Sequence, residues 1–383
     1  MKYLKIISYC LCVILLASIC NIHVFATADD VLSLSCPSAI LVDYASGEVL
    51  YEKNPDEKRA IASVTKIMTM LICMEEIYLG NISYDDIVVG SANAKSYGGS
   101  TIYLDEGEKM SIRDLLKGIA VASGNDACVA VAEYICGSEA AFVSRMNDTA
   151  KKLGMNNTNF MNCNGLDVEG HYSTARDIAI MSKALMKYDD IFQFTTIWMD
   201  SLRNGSFTLS NTNKLIKYYD GATGLKTGST DDALFCISAT AKRNNMHLIA
   251  VVLGAETSKL RQADASAMLN YGFSNYESRR VVDVINNTKL IHISKGSKKH
   301  INIIPEKNLD LIVDKNSQND FKVSFDYKTK INAPVKKGDK AGTITIVSSD
   351  STQNHTVNLL FDENVEKRSF KTEFCNNLKK IFG

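Results

Sequence analysis

The sequence holds only four prolines among its 383 residues, and it contains neither an internal repeat nor a low-complexity segment. That excludes a linker or a disordered tail and leaves an ordered globular chain. It also lacks net charge, with 43 Lys and Arg against 43 Asp and Glu. Without surplus cations to release the counterions around phosphate, nucleic acid is excluded as a partner, and any basic surface must be local. No C-x-x-C pair and no Cys/His grouping with zinc spacing occurs, so neither a metal nor another cofactor is expected. What is present is 45% hydrophobic residues in a long chain. Single cores usually stop growing at about 250 residues, so two domains are expected.

The N-terminus carries Lys2 and Lys5, then an apolar run from Ile6 to Ile19, then Val24-Phe25-Ala26 before the polar Thr27-Ala28-Asp29-Asp30. The run is short for a bilayer span, and the segment reads as a secretory signal peptide cleaved after Ala26, with an uncleaved anchor as the alternative. Lipid attachment at Cys20 is disfavoured because Ile19 is not the small residue such a site needs. Cleavage removes two lysines and Cys10, Cys12 and Cys20, leaving 41 cationic residues against 43 acidic ones and seven cysteines. Cys36, Cys73, Cys128, Cys136, Cys163, Cys236 and Cys375 show no regular spacing, and several lie in apolar runs where a thiol acts as a small buried hydrophobe. No disulfide framework is expected.

Periodicity outlines the rest. A hairpin is expected over 39–53, with Ile40-Leu41-Val42 and Val49-Leu50-Tyr51 flanking Ala45-Ser46-Gly47. Ile67, Met70, Leu71, Met74 and Ile77 recur at helical spacing after Ser63. Further helices are expected over 112–122, from about Asp126, and after Ser173-Thr174-Ala175-Arg176-Asp177; strands are expected over 233–241 and 247–253. From about Val281 to Leu360, short β-rich runs alternate with Lys, Asn, Gly and Asp turns, as in a small β-domain. Beyond it Phe370, Phe374, Leu378, Ile381 and Phe382 fall at helical spacing among lysines, a basic amphipathic pattern suited either to a membrane interface or to packing on the β-domain.

Three short motifs carry chemistry. S-x-x-K occurs once, at Ser63-Val64-Thr65-Lys66. On a helix Lys66 lies one turn after Ser63 on the same face, within reach of a hydroxyl that needs a partner to become a nucleophile at neutral pH. Taken alone, the pattern more often marks a serine N-cap with a solvated lysine. S-x-N occurs three times, at Ser91, Ser123 and Ser317, and only Ser123-Gly124-Asn125 sits at an expected helix-to-helix turn. K-T-G occurs once, at Lys226-Thr227-Gly228, just before the strand from Ala233. On a strand Lys226 and Gly228 share one side and Thr227 takes the other.

In the order S-x-x-K, S-x-N, K-T-G, the set resembles that of serine-type D-alanyl-D-alanine carboxypeptidases, the low-molecular-mass penicillin-binding proteins. Gly98-Gly99-Ser100, His171-Tyr172-Ser173-Thr174-Ala175-Arg176-Asp177, and Ala333-Pro334-Val335-Lys336-Lys337-Gly338-Asp339 extend the resemblance over almost the whole mature chain. It implies a penicillin-binding, β-lactamase-like α+β fold, with an antiparallel sheet, flanking helices and a helical subdomain carrying Ser123, followed by a small all-β domain. The expected division is 1–26 signal peptide, 27–276 catalytic, 277–361 β-rich and 362–383 membrane-associating helix, on a protein secreted and peripheral on the outer face of the membrane. The resemblance implies Ser63 as nucleophile, Lys66 as base and Ser123 as proton relay. It implies Asn125 as orienting group, Lys226 and Thr227 on the substrate carboxylate, and the Ser63 and Ser229 N–H groups as oxyanion hole behind Gly228. Arg261 matches a family arginine near the carboxylate site, or is a surface ion-pair residue. The implied partners are D-Ala-D-Ala stem peptides and β-lactams.

One stretch departs from the family, which commonly reads D-G-[IVL]-K-T-G; here Asp220-Gly221-Ala222-Thr223-Gly224-Leu225 precedes Lys226, and either glycine could fill the family position. Three other readings remain. A β-lactamase needs a glutamate-positioned water, and residues 162–167 contain no glutamate. A D,D-endopeptidase would use the same residues. A non-catalytic envelope protein that binds peptidoglycan would not need Ser63, Lys66 and Lys226 intact.

Overall fold

The computed structural model describes residues 31–316, 321–348 and 354–369. The expected signal peptide and most of the expected C-terminal helix lie outside them. By contacts the chain divides into Met1–Leu34 and Ser35–Gly383, and the architecture here is that of the second unit.

Its first part is built on five antiparallel strands: β1 (Ser38–Asp43), β2 (Val49–Lys53), β3 (Ala222–Thr230), β4 (Leu234–Arg243) and β5 (Met246–Ala255), in the order β2-β1-β5-β4-β3. The two expected hairpins are therefore present, joined through β1 and β5. Every residue of β5 is buried. Its apolar run from Leu248 to Leu253 reflects cover on both faces. Ile249, Val251 and Leu253 join the main helical core, whereas Leu248 packs with Leu41 against Gly272 on the other side.

The longer helices of this part are α1 (Lys66–Tyr78), α2 (Ile112–Lys117), α3 (Asn125–Cys136), α4 (Glu139–Leu153), α5 (Ala175–Leu185) and α6 (Ser258–Asn275). The helix expected from Ser63 starts as a 3-10 turn over Ala62–Thr65 and becomes α-helical at Lys66. α1 is buried from Lys66 through Met74, so it runs through the interior with no solvent face over that stretch. The helix expected over 112–122 is α-helical to Lys117 and closes as a π turn over Gly118–Ala122. Ser138, Thr174 and Thr257 accept hydrogen bonds from the N–H groups of Ala141, Asp177 and Leu260, which sets where α4, α5 and α6 begin.

The β-rich part starts at Tyr276. β6 (Tyr276–Val282) pairs with β9 (Leu309–Asp314). A six-stranded sheet uses β7 (Lys289–Ser294), β8 (His300–Pro305), β10 (Phe321–Tyr327), β11 (Lys330–Asn332), β12 (Lys340–Ser348) and β13 (Asn354–Phe361), in the order β10-β12-β13-β8-β7-β11. Ile291, Ile293, Ile301, Ile303, Ile344, Ile346, Val357 and Leu359 form its core at every second position, as half-buried strands require. At the junction the Lys315 ammonium donates to the Phe273 carbonyl at 2.7 Å, and the Arg243 guanidinium lies 4.7 Å from the ring centres of both Tyr219 and Phe273.

Candidate active site

The start of α1 places Ser63 and Lys66 together, and the surrounding loops fix the lysine amine. Lys66 Nζ lies 2.8 Å from Ser63 Oγ, 2.7 Å from Asn125 Oδ1 and 2.6 Å from the Asn164 carbonyl oxygen. Asn125 cannot flip its amide, because its Nδ2 donates to the Gly98 carbonyl at 2.7 Å. Its oxygen therefore faces the lysine. Two of the three partners can only accept. When the amine is neutral its two N–H bonds serve those acceptors, and its lone pair is left facing the Ser63 hydroxyl. Burial pushes Lys66 below the ordinary lysine value, against the opposing influence of Cys128, Cys163 and Asp126.

The K-T-G strand closes the other side. A Cβ on Gly228 would sit 2.8 Å from the Ser63 backbone nitrogen and 2.9 Å from the Ile61 carbonyl oxygen, so only glycine lets β3 approach Ser63 this closely. Lys226 shares that side. It is buried, and desolvation first, then the positive charges of Lys66 and Arg261, hold it well below its usual value. Its ammonium donates to the Thr227 carbonyl at 2.8 Å. On the opposite side the Thr227 hydroxyl donates to Thr212 Oγ1 at 2.7 Å, and Thr212 is exposed. Ser229 is also exposed, one residue beyond Gly228.

Ser123 ends the π turn in a left-handed conformation with φ 64°, is buried, and lies two residues before Asn125. Asp126 then accepts from the N–H groups of Ile102, Leu104 and Ala127, which ties the 98–104 loop to this turn. Arg261 is not a surface ion-pair residue. It is buried on α6, and its Nη1 lies 3.4 Å from both the Gly228 and Cys236 carbonyl oxygens, behind the K-T-G strand. Burial brings its guanidinium down to about 10.

Asp220 does not reach the site. Its side chain is 92% exposed, 3.7 Å from Arg243. Gly224 is therefore the glycine that precedes Leu225-Lys226 within the strand, and Thr223 stands where the family commonly has aspartate; its hydroxyl is bonded to Thr240 and His247.

With this geometry the comparisons are specific. The profile described as D-alanyl-D-alanine carboxypeptidase matches residues 24–257. The chain belongs to this family. A second profile, the C-terminal domain of penicillin-binding protein 5, matches residues 276–367. D-alanyl-D-alanine carboxypeptidase DacF of Bacillus subtilis is 46% identical over 319 residues, covering 82% of each chain. DacC of Escherichia coli is 33% identical over 347 residues, 88% of this chain and 86% of that one. The crystal structure of penicillin binding protein 5 from Haemophilus influenzae superimposes with TM-score 0.73 at 28% identity, covering 87% and 98% of the two chains. An ampicillin-bound penicillin-binding protein D2 from Listeria monocytogenes gives TM-score 0.58 at 32% identity over 63% of this chain and 99% of that one. The fold is that of these penicillin-binding carboxypeptidases, with its C-terminal all-β part.

Two features lie outside the three short motifs. The Asn164 carbonyl reaches Lys66 because Gly165, at φ +89°, passes Ala62 so closely that a Cβ there would lie 2.0 Å from the Ala62 oxygen. Asn162 Oδ1 pins the same loop by accepting from the Gly165 N–H at 2.6 Å. His171 supports the helix start. The Met161 N–H donates to its Nδ1 at 3.2 Å, so its proton sits on Nε2 and is donated to Thr65 Oγ1 at 2.7 Å. Burial drops His171 to about 4, leaving it neutral. The glycine in N-G-L was the one available signal for the first; the second stands in the stretch from His171 to Asp177 that extends the family resemblance, but nothing in that stretch showed its contact with Thr65.

Proposed function

We propose that this protein is a serine D-alanyl-D-alanine carboxypeptidase that removes the terminal D-Ala from peptidoglycan stem pentapeptides. The observation that carries the reading is the lysine with two acceptor-only partners, which leaves one direction for its lone pair: the Ser63 hydroxyl. Ser63 Oγ attacks the carbonyl of the last peptide bond while its proton passes to Lys66 Nζ. The tetrahedral oxyanion is held by the Ser63 and Ser229 N–H groups. Ser123 relays the proton to the leaving amine, the C–N bond breaks, and D-alanine departs from an acyl ester on Ser63. Water then adds to the ester with Lys66 again taking the proton, and the product carboxylate leaves as Ser63 regains its own.

Lys226, Thr227 and Ser229 hold the substrate's terminal carboxylate. Its arrival favours the charged form of Lys226, which in turn keeps Lys66 neutral. Arg261 acts behind them, on the Gly228 carbonyl. A β-lactam follows the same path, but its leaving nitrogen stays tethered to the acyl group, so the adduct persists. The loop over Lys66 presents a backbone carbonyl where a β-lactamase would need a carboxylate for its water. The reading includes export after cleavage at Ala26, the domain division at 276/277, and a peripheral position at the outer membrane face through the basic tail.

Labelling with a fluorescent penicillin tests this. The unmodified protein takes up a slowly lost label and releases D-alanine from a D-Ala-D-Ala pentapeptide; Ser63→Ala does neither. Rapid loss of label with no D-alanine released would mean a β-lactamase instead.

A further inference from the structure

The six-stranded sheet of the β-rich part ends in two edge strands, β10 and β11. β11 is three residues long, too short to hold a further strand in register. β10 is seven residues long and pairs on one side only, with β12, from Phe321 opposite Ser348 to Tyr327 opposite Gly342. Outside that ladder, no backbone group of β10 takes part in a hydrogen bond among the described residues. The N–H and C=O groups on its outer side therefore form an open row, the condition under which a sheet recruits another strand. The side chains of β10 sort by face. Phe321, Val323, Phe325 and Tyr327 are half-buried against the β-rich core, with the Lys289 ammonium 4.5 Å from the centre of the Phe325 ring. Lys322, Ser324 and Asp326 are exposed on the opposite face. There β12 sets Val347 beside Lys322 and Thr343 beside Asp326, so neither charge meets an opposite one across that ladder. The two stand about 13 Å apart along the strand, too far to meet each other. Nothing in the peptidase chemistry uses this edge.

We propose that β10 pairs antiparallel with β10 of a second copy of this chain, about a two-fold axis through Ser324. The stretch Phe321-Lys322-Val323-Ser324-Phe325-Asp326-Tyr327 selects that occupant because it is complementary to its own reversal. Pairing centred on Ser324 brings Lys322 opposite the partner's Asp326, and Asp326 opposite the partner's Lys322. On the core side it brings Phe321 opposite the partner's Tyr327 and Val323 opposite the partner's Phe325. Opposite charges, aromatic pairs and aromatic–β-branched pairs stabilise a ladder when they stand directly across it, and like charges there destabilise it. The alternatives fail on the same residues. Parallel pairing in register sets lysine against lysine and aspartate against aspartate, and a slip of one residue turns one copy's apolar side chains to the other's polar face. An edge lysine ordinarily keeps strands from adding. Here it rejects strands that lack a carboxylate at the matching position and admits the chain's own. The contact is isologous and closed, as most homo-oligomers are, and it joins two six-stranded sheets into one. Seven residues from each copy make a small interface, so the dimer is weak and its population depends on concentration.

The position of Ser324 on the axis supplies the test. Its Cα falls about 4.5–5.5 Å from that of the partner's Ser324, within the span of a disulfide. Under mild oxidation the chain from Thr27 to Gly383 carrying Ser324→Cys should form a covalent dimer that reductant dissolves. Lys322→Cys, about 13 Å from its own copy, should cross-link no more than the unmodified protein. Sedimentation velocity should show a reversible dimer whose dissociation constant rises at least tenfold in Lys322→Asp, which sets two acidic pairs across the ladder. The exchange of both charges, Lys322→Asp with Asp326→Lys, should return it to the unmodified value. Urea unfolding midpoints close to that of the unmodified protein report that the variants are folded, and neither readout depends on peptidase activity. Equal cross-linking of Ser324→Cys and Lys322→Cys would overturn the proposal. So would a chain that stays monomeric at every concentration, a dimer that Lys322→Asp leaves unchanged, or one that the double exchange fails to restore.

Discussion

In the catalytic part Lys66, Lys226, Arg261, Asp126, Asp177 and Asp264 are all buried, together with His171 and His247; in the β-rich part Ser348 is the one buried polar side chain among the described residues. The difference separates two ways of using a core. The β-rich part follows simple alternation, apolar inward and polar outward. The catalytic part places charge inside, at a cost that must be met by partners. Its carboxylates meet that cost through the backbone: Asp126 accepts from three N–H groups, and Asp264 accepts from those of Ser35 and Cys36. Its cations face carbonyls and hydroxyls instead. Buried carboxylates here organise loops, and buried cations with incomplete neutralisation mark the chemistry.

The sharpest break of that contrast comes from one conservative substitution made in each part. Lys66→Arg keeps a cation of similar length, but a guanidinium stays protonated and cannot take the Ser63 proton. The rate of labelling by fluorescent penicillin should fall by roughly 10²- to 10⁴-fold. Lys322→Arg, exposed on β10, should leave that rate unchanged. Full activity in Lys66→Arg would show that the lysine is not the base. With the natural lysine, labelling should also slow as pH falls below the depressed Lys66 value, because the amine then loses its lone pair.

Apolar truncations give the next largest effect. Ile67 and Ile346 are both fully buried, one beside Lys66 on α1 and the other in the β-rich core. Truncating either to alanine should cost about 2–5 kcal/mol in denaturant unfolding. The two should differ in chemistry. Ile67→Ala loosens the helix that aims Lys66 and slows labelling, while Ile346→Ala leaves the labelling rate at 25 °C untouched. Equal slowing by both would mean that the β-rich core sets the active-site geometry.

The contrast also explains what could be read in the sequence. The β-rich part was legible because its code is local: alternating apolar residues between turns. The two hairpins of the main sheet, α1 and α5 were legible for the same reason, and Ser63, Lys66 and Lys226 through unique motifs. The stripe of α4 is narrow, only Phe142, Met146 and Ala150 being buried in fifteen residues, so periodicity does not single it out. The carbonyls of Gly98 and Asn164 leave no trace at all, since every residue has a carbonyl and only the tertiary path of the loop decides which one meets a lysine. Arg261 could be numbered but not placed. Its spacing along α6 says nothing about the strand that crosses in front of it.

The smallest predicted effect concerns acid. His171 and His247 are each lowered to about 4, in both cases first by burial. Between that value and their ordinary 6.5 the unfolded chain takes up protons that the folded chain refuses, so stability is complete above pH 6.5 and is lost as pH falls through the window. Each histidine can contribute up to roughly 3 kcal/mol. The ion-paired carboxylates Glu76, Glu108 and Asp310 lie below their ordinary values of 4.5 or 3.8 and therefore act at lower pH. Asp43, raised by burial, works with the opposite sign. Urea unfolding from pH 6.5 to 4.5 should therefore show a falling stability that His171→Gln roughly halves and the His171→Gln, His247→Gln pair nearly removes. Both histidines pack in the catalytic part, so a reporter there should carry the slope while one in the β-rich core stays flat. A slope that survives both substitutions, or one that the β-rich core shares, would place the acid sensitivity outside the buried polar network.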